Sequence, residues 1–402
     1  MKSPFVFRPA RAGALAADIK KIHSVVAPRR HRVLAGALLA VLSAPAVAAE
    51  DYKSLKAELE ALRQEVQQAT EWKNLHTFVH LAGYAAVNYI RPETGDSSFS
   101  GTTFNPIFHY QYKDLLLLES ELEIALLPDG ETETALEYLS LDLILNDYMV
   151  LVAGKFLNPI GQFRQNIHPA WINKLPSLPA GFGMDEAAPT NEVGLQMRGG
   201  FPLGPMRANY AVYTGNGPRL VLDSTTGMIM MVETRGQGSD SNGNKAVGGR
   251  FGLLPIPKLE LGISYATAKT SGVEGAFVET NRKYDVAGAD ISYQIAGIDL
   301  RGEYIQTRLG ADTTGMSMDP GEKEWKAWYA QAAWRIPGTN WEPVVRYGRY
   351  QKPDGIETRQ VAPGINYVFA ANVIAKLAYE VNDTDGVTGG DDRTLVQLAY
   401  GF

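Results

Sequence analysis

Lys155, Arg198, Arg207, Arg250, Arg301 and Arg346, together with Glu119, Glu121, Glu123 and Asp142, recur in segments where polar residues alternate with apolar or small ones. An extended chain turns successive side chains to opposite faces, so this spacing gathers charge on one face and hydrocarbon on the other. The chemistry such a face can do is electrostatic, because fixed charges of both signs hold water and orient polar solutes and ions. Lys155, Arg198, Arg207 and Arg250 fall on four successive segments, and the four acids on the two segments before them. The sequence therefore predicts two wall sectors of opposite sign with a field between them.

Covalent and metal chemistry find little support. There is no cysteine, which removes disulfides and thiolate metal sites. Beyond residue 49 the histidines are His76, His80, His109 and His168. They lack metal-ligand spacing, and no Gly-x-Ser-x-Gly turn is present to expose a nucleophile. No metal or other cofactor is expected.

The elements that must position these residues begin with a leader. Residues 33–44 are an apolar run after Arg29, Arg30, His31 and Arg32, and the small residues Pro45, Ala46, Val47, Ala48 and Ala49 follow it. This is the pattern of a secretory signal spanning 1–49, with a long basic region and an uncertain start, and the run is too short for a membrane helix of about 20 residues. Without the leader the chain has 30 basic and 43 acidic residues, a formal charge of −13. Nothing basic is clustered enough to neutralise phosphates, so no nucleic-acid partner is expected.

Over 50–73, Tyr52, Leu55, Leu59, Leu62, Val66 and Ala69 are spaced as the apolar seam of a short coiled coil. Asp51, Lys56, Glu58 and Arg63 flank the seam, and the pattern predicts self-association.

From 77 to 402 the chain contains sixteen segments with period-2 alternation, long enough for tilted membrane strands. Even-numbered connections are brief, as at Asn146-Asp147, Pro202-Leu203-Gly204-Pro205, Ala296-Gly297 and Pro337-Gly338-Thr339. Six odd-numbered ones are long, among them 158–191 and the stretch 270–283 between the ninth and tenth segments. Short turns at one end and long loops at the other are the pattern of an all-β, sixteen-stranded antiparallel transmembrane barrel, here preceded by the coiled-coil helix. Closure is required because lipid offers no partner to a sheet edge. Trp328, Trp334, Trp341, Tyr347, Tyr367, Phe369, Tyr379, Tyr400 and Phe402 supply interfacial aromatics, and the ten charged residues named first point into a hydrated lumen.

The third external loop, 158–191, mixes Ile167, Trp171, Ile172, Leu175 and Leu178 with Arg164 and Lys174. That composition predicts packing, either inward with Arg164 and Lys174 narrowing a pore, or as a cap or subunit contact at the outer rim. The coiled coil, the run Gly154-Lys155-Phe156 leading into Pro159 and the long loop, the strand count and the terminal Phe402 resemble trimeric sixteen-stranded porins. The likeness is specifically to the phosphate-selective group and related porins with a coiled coil before the barrel. The resemblance implies a homotrimer, a constriction formed by 158–191, and recognition of the last strand, with Tyr400 and Phe402, by the barrel assembly machinery. It does not extend phosphate selectivity to this chain, whose inward residues mix both signs.

The expected function is passive diffusion of small hydrophilic solutes and ions through the bacterial outer membrane, among its lipids and lipopolysaccharide. An anion-, phosphate- or dicarboxylate-selective channel is the alternative. An outer-membrane enzyme, which would need a base and nucleophile side by side, and an envelope tether through 50–73 are further readings.

Overall fold

A computed structural model describes residues 60, 61, 63, 77–387, 389 and 391–402. The leader and all but three positions of the coiled-coil segment lie outside the described residues.

The body from Leu75 to Phe402 is built from strands. They are β1 (Thr77–Pro92), β2 (Ser98–Phe99), β3 (Thr103–Tyr112), β4 (Leu116–Leu126), β5 (Thr132–Asn146), β6 (Met149–Leu157), β7 (Asn191–Leu203), β8 (Met206–Gly215), β9 (Arg219–Leu222) and β10 (Ile229–Glu233). They continue as β11 (Ala246–Ile256), β12 (Leu259–Glu274), β13 (Phe277–Ile295), β14 (Ile298–Leu309), β15 (Lys323–Trp334), β16 (Trp341–Gln351), β17 (Glu357–Ala370), β18 (Val373–Thr384) and β19 (Arg393–Gly401). Sixteen of them pair with their sequence neighbours in one antiparallel sheet. β8 meets β11 across the β9–β10 hairpin, and β1 meets both β3 and β19, so the sheet closes on itself. All sixteen segments read from the sequence are barrel strands.

Alternation explains why these residues close a barrel. On β12, Leu261, Ile263 and Tyr265 are exposed, whereas Gly262 and Ser264 between them are buried. Leu377 and Tyr379 on β18, and Val396, Leu398 and Tyr400 on β19, repeat the pattern. The exposed face is apolar, and a lipid surround is the environment that such a face fits. The turn at Ala296-Gly297 has positive φ at both residues, 50° and 81°, which matches the twist of a two-residue hairpin.

One expected connection is not a loop. The stretch 270–283 continues β12 and β13 as a two-stranded ribbon that turns at 275–276, where Glu274 faces Phe277. Its Thr, Ser and Gly content looked like a loop, yet Gly272–Glu279 and Val273–Val278 are in register.

Candidate functional site in the barrel interior

The connection 158–190 departs from β6 and packs against the inner wall. Its start is set locally: Asn158 Oδ1 accepts from Ile160 N at 3.2 Å, and Gly161 adopts φ 76°. A Cβ on Gly161 would lie 1.8 Å from Glu303 Oε1, so only glycine allows this approach. Glu303 Oε2 then accepts from Gln162 N and Phe163 N at 3.2 and 2.9 Å, which opens a single π-turn, Phe163–Ile167. Phe163, Phe182 and Tyr329 of β15 form an edge-to-face cluster with centroids 5.1 to 6.0 Å apart. Ile160, Phe163, Leu175 and Phe182 are almost fully enclosed, each stabilising the packed loop by about 1.5–3 kcal/mol.

Charged wall residues grip the loop backbone. Arg346 of β16 donates to Ser177 O and Leu178 O, both at 3.0 Å, and to Gln360 Oε1, and lies 3.3 Å from Glu380. Lys376 of β18 donates to Asn173 O at 2.6 Å, to Ala170 O and to Gln397 Oε1. Lys174 reaches Glu342 at 3.0 Å while Asn366 donates to its carbonyl. Thr307 donates to Ala187 O at 2.6 Å. These contacts correct the expectation for Arg346, which has no exposed surface and lines no open channel. Parity placed it inward correctly, but the loop covers it.

The wall on β1 and β3 to β5 is acidic. Glu121 accepts from Tyr84 OH at 2.8 Å and from Asn105 at 3.3 Å. Arg164 donates to Phe182 O at 3.3 Å, and Glu137 and Glu123 are the carboxylates that act on it most strongly. Burial lowers the Arg164 pKa from its ordinary value, and Glu137 and Glu123 pull it the other way. Burial, and then Arg164, push His168 down to about 4, and its ring bonds to Arg164 O.

Glu137 was missed in the sequence because strict alternation turns it outward. A bulge opposite Glu121 and Leu122 adds a residue, so Glu137 and Tyr138 both face inward. The signal was present: exposed Leu136 and Leu139 are three apart, where an unbroken strand keeps two.

Arg198 and Arg250 correct the picture of opposed sectors. Arg198 pairs with Asp142 and, at 3.3 Å, with Glu119. Arg250 pairs with Asp290 at 2.6 Å and with Glu260 at 2.9 Å. Opposite charges meet across the same patch of wall, which quenches the transverse field. Arg301 pairs with Asp299 at 2.7 Å. Arg207 shares the inward parity of Asn209 and is exposed. His80 and His109 face each other at 3.2 Å, and His109 lies 3.4 Å from Glu119.

Three sizeable cavities lie between loop and wall among the described residues, one of about 390 Å³ beside Ser177 and Arg393 and two beside the acidic wall. One of about 600 Å³ is bounded by Glu119, Tyr138, Val152, Gln165, Gln196 and Arg198 among others. The second, of about 300 Å³, is bounded by Glu123, Glu137, Lys155 and Arg164 among others. Lys155 also donates to Leu136 O at 2.7 Å.

A closed sixteen-stranded antiparallel barrel, apolar outside and charged within, defines a transmembrane β-barrel. Solved outer-membrane proteins share this fold. Salmonella typhi OmpF, in complex with daunomycin, is 14% identical with a TM-score of 0.57, over 81% of this chain and 98% of that one. OmpT of Vibrio cholerae lacking loop L8 is 13% identical, TM-score 0.54, over 81% and 100%. The anion-selective porin of Comamonas acidovorans is 15% identical, TM-score 0.52, over 81% and 100%. No family model and no curated protein matches the chain. The likeness is one of fold, a closed sixteen-stranded outer-membrane barrel.

Proposed function

We propose that the protein is a porin of the bacterial outer membrane, a passive diffusion channel for small hydrophilic solutes and ions. The observation that carries this is the 158–190 loop held against the inner wall of a closed barrel, with Arg164 beside Glu123 and Glu137 and a cavity of about 600 Å³ under the loop residues Gln165 and Asn166. The loop is the constriction in this reading. Arg164 and Lys155 are two cations against Glu121, Glu123 and Glu137, Arg235 is paired with Asp185, and Arg198 and Arg250 are already paired, so the channel favours cations over phosphate and other anions.

The outward faces of β4 to β6 support a subunit interface. Leu116, Leu118, Leu122, Leu136, Leu139, Leu141 and Leu151 lie there as an aliphatic sector, and a homotrimer would cover this sector. A leader over 1–49, a trimer-forming coiled coil over 50–73, contact with lipopolysaccharide, and reading of Tyr400 and Phe402 by the assembly machinery complete the proposal.

The test is single-channel conductance of the purified protein in planar bilayers, with reversal potential in a salt gradient. Stepwise ion current with a cation preference is expected. Absence of current would remove the channel reading, and strong anion preference with phosphate block would replace it with a phosphate channel.

A further inference from the structure

Gln196 of β7 is almost fully enclosed, and its Nε2 donates to no protein group. It bounds the 600 Å³ cavity. An unpaired buried amide donor costs roughly 1–3 kcal/mol, so the site is built for an acceptor that the protein does not supply.

The surroundings define that acceptor. Both guanidinium groups in the lining are committed, Arg198 to Asp142 and Glu119, and Arg250 to Asp290, Glu260 and Asn209. Two cations stand among four carboxylates, an acidic surplus that disfavours a carboxylate or phosphate ligand. A neutral oxygen is left as the partner for Gln196. The loop adds the amides of Gln165 and Asn166, and the wall adds Tyr138 and Ser140. Beside these polar groups, Val152 is paired with Gln196 and Val150 with Arg198 on the neighbouring strand, and Phe156 joins them in the lining. Hydroxyl-binding amides next to a hydrocarbon patch suit a sugar ring, which carries oxygens at its rim and C–H groups on its faces. The volume lies within the usual range for a small-molecule site, about 300–1,000 Å³.

We propose that this cavity is a binding subsite for a neutral polyhydroxylated solute of mono- or disaccharide size. The assignment rests on the channel reading and names the solute class that the channel retains in passage.

The test uses the full protein in planar bilayers with sucrose as probe and inorganic phosphate as comparison. Sucrose at millimolar concentration interrupts the single-channel current, and phosphate at equal concentration does not. Gln196→Leu and, on the exposed loop position, Asn166→Ala each weaken sucrose block about fivefold, the loss of one hydrogen bond, measured against each variant's own open current. Thr225→Ala, in a distant exposed turn, leaves block unchanged. An ion-conducting channel that sucrose fails to interrupt, or that phosphate interrupts at lower concentration, overturns the subsite and leaves the porin reading intact. So does wild-type block in both cavity variants. If no ion current flows at all, the porin reading fails instead, and equilibrium binding of labelled sucrose to the detergent-solubilised protein decides the subsite on its own.

Discussion

Gly83 and Phe402 exchange both of their backbone hydrogen bonds, at 3.0 and 2.9 Å, and the Phe402 ring fills the space beside Gly83 where a side chain would project. The pair ends the seam between β1 and β19, next to the Tyr84–Gly401 register. Gly83 has φ 153°, and a Cβ there would stand 2.4 Å from Asn105 O and 2.8 Å from Phe402 Cζ. Gly83→Val is therefore expected to cost roughly 1–3 kcal/mol of barrel stability, read as a lower temperature for loss of the compact gel form. Phe402→Ser keeps the backbone pair but removes the stack on Phe104, and a reduced yield of inserted barrel is expected.

Arg346 holds two loop carbonyls and a buried carboxylate. Arg346→Met leaves Glu380 with Arg393, 2.6 Å away, and the Ser177 hydroxyl, and frees the carbonyls of 177 and 178. Breaking such a buried pair costs about 3–5 kcal/mol, toward the lower end here because Arg393 remains. The variant should melt earlier, and its single-channel current should be larger and noisier than the parent's.

Arg164 offsets the acids beside it. Arg164→Ser is expected to raise the cation-to-anion permeability ratio roughly twofold to fivefold, the effect of removing one unit charge that is largely buried at the rim of the cavity of about 300 Å³. Glu123→Gln should move the ratio the other way. Reversal potentials in a tenfold salt gradient measure both, and equal ratios in parent and Arg164→Ser would remove Arg164 from the conduction path.

His168 gives a pH dependence with a definite sign. Its folded pKa, about 4, lies below the ordinary imidazole value of about 6.5. As pH falls through about 6.5 the unfolded chain takes up this proton and the folded chain does not, so stability drops until pH reaches about 4 and then levels. His168→Gln should flatten that part of the melting profile. The difference between parent and variant isolates it from the carboxylates.

Leu139 and Leu141 are exposed on the aliphatic sector of β5. Leu139→Arg should shift the protein from trimer to monomer in native gels and cross-linking. Retention of the trimer would assign this sector to lipid, where an arginine near the midplane costs about 2–4 kcal/mol.

The strands were legible because one face of each must be apolar, and a period of two survives in any single sequence. Glu137 was hidden because one inserted residue at Glu121–Leu122 reverses the parity beyond it. Arg346 shows a different limit. Alternation says that it points inward, but whether it meets water or the loop backbone depends on Ser177, 169 positions away. The turn at 275–276 was missed because glycine and threonine serve loops and exposed ribbons alike.

The loop that leaves β6 draws its anchors from the far end of the chain: Lys376 on β18 clasps Ala170 and Asn173, and Trp171 lies against Gly401 on β19. Those grips do not exist until the last two strands are in place. Joining the first and final strands therefore locks the inside as well as the rim.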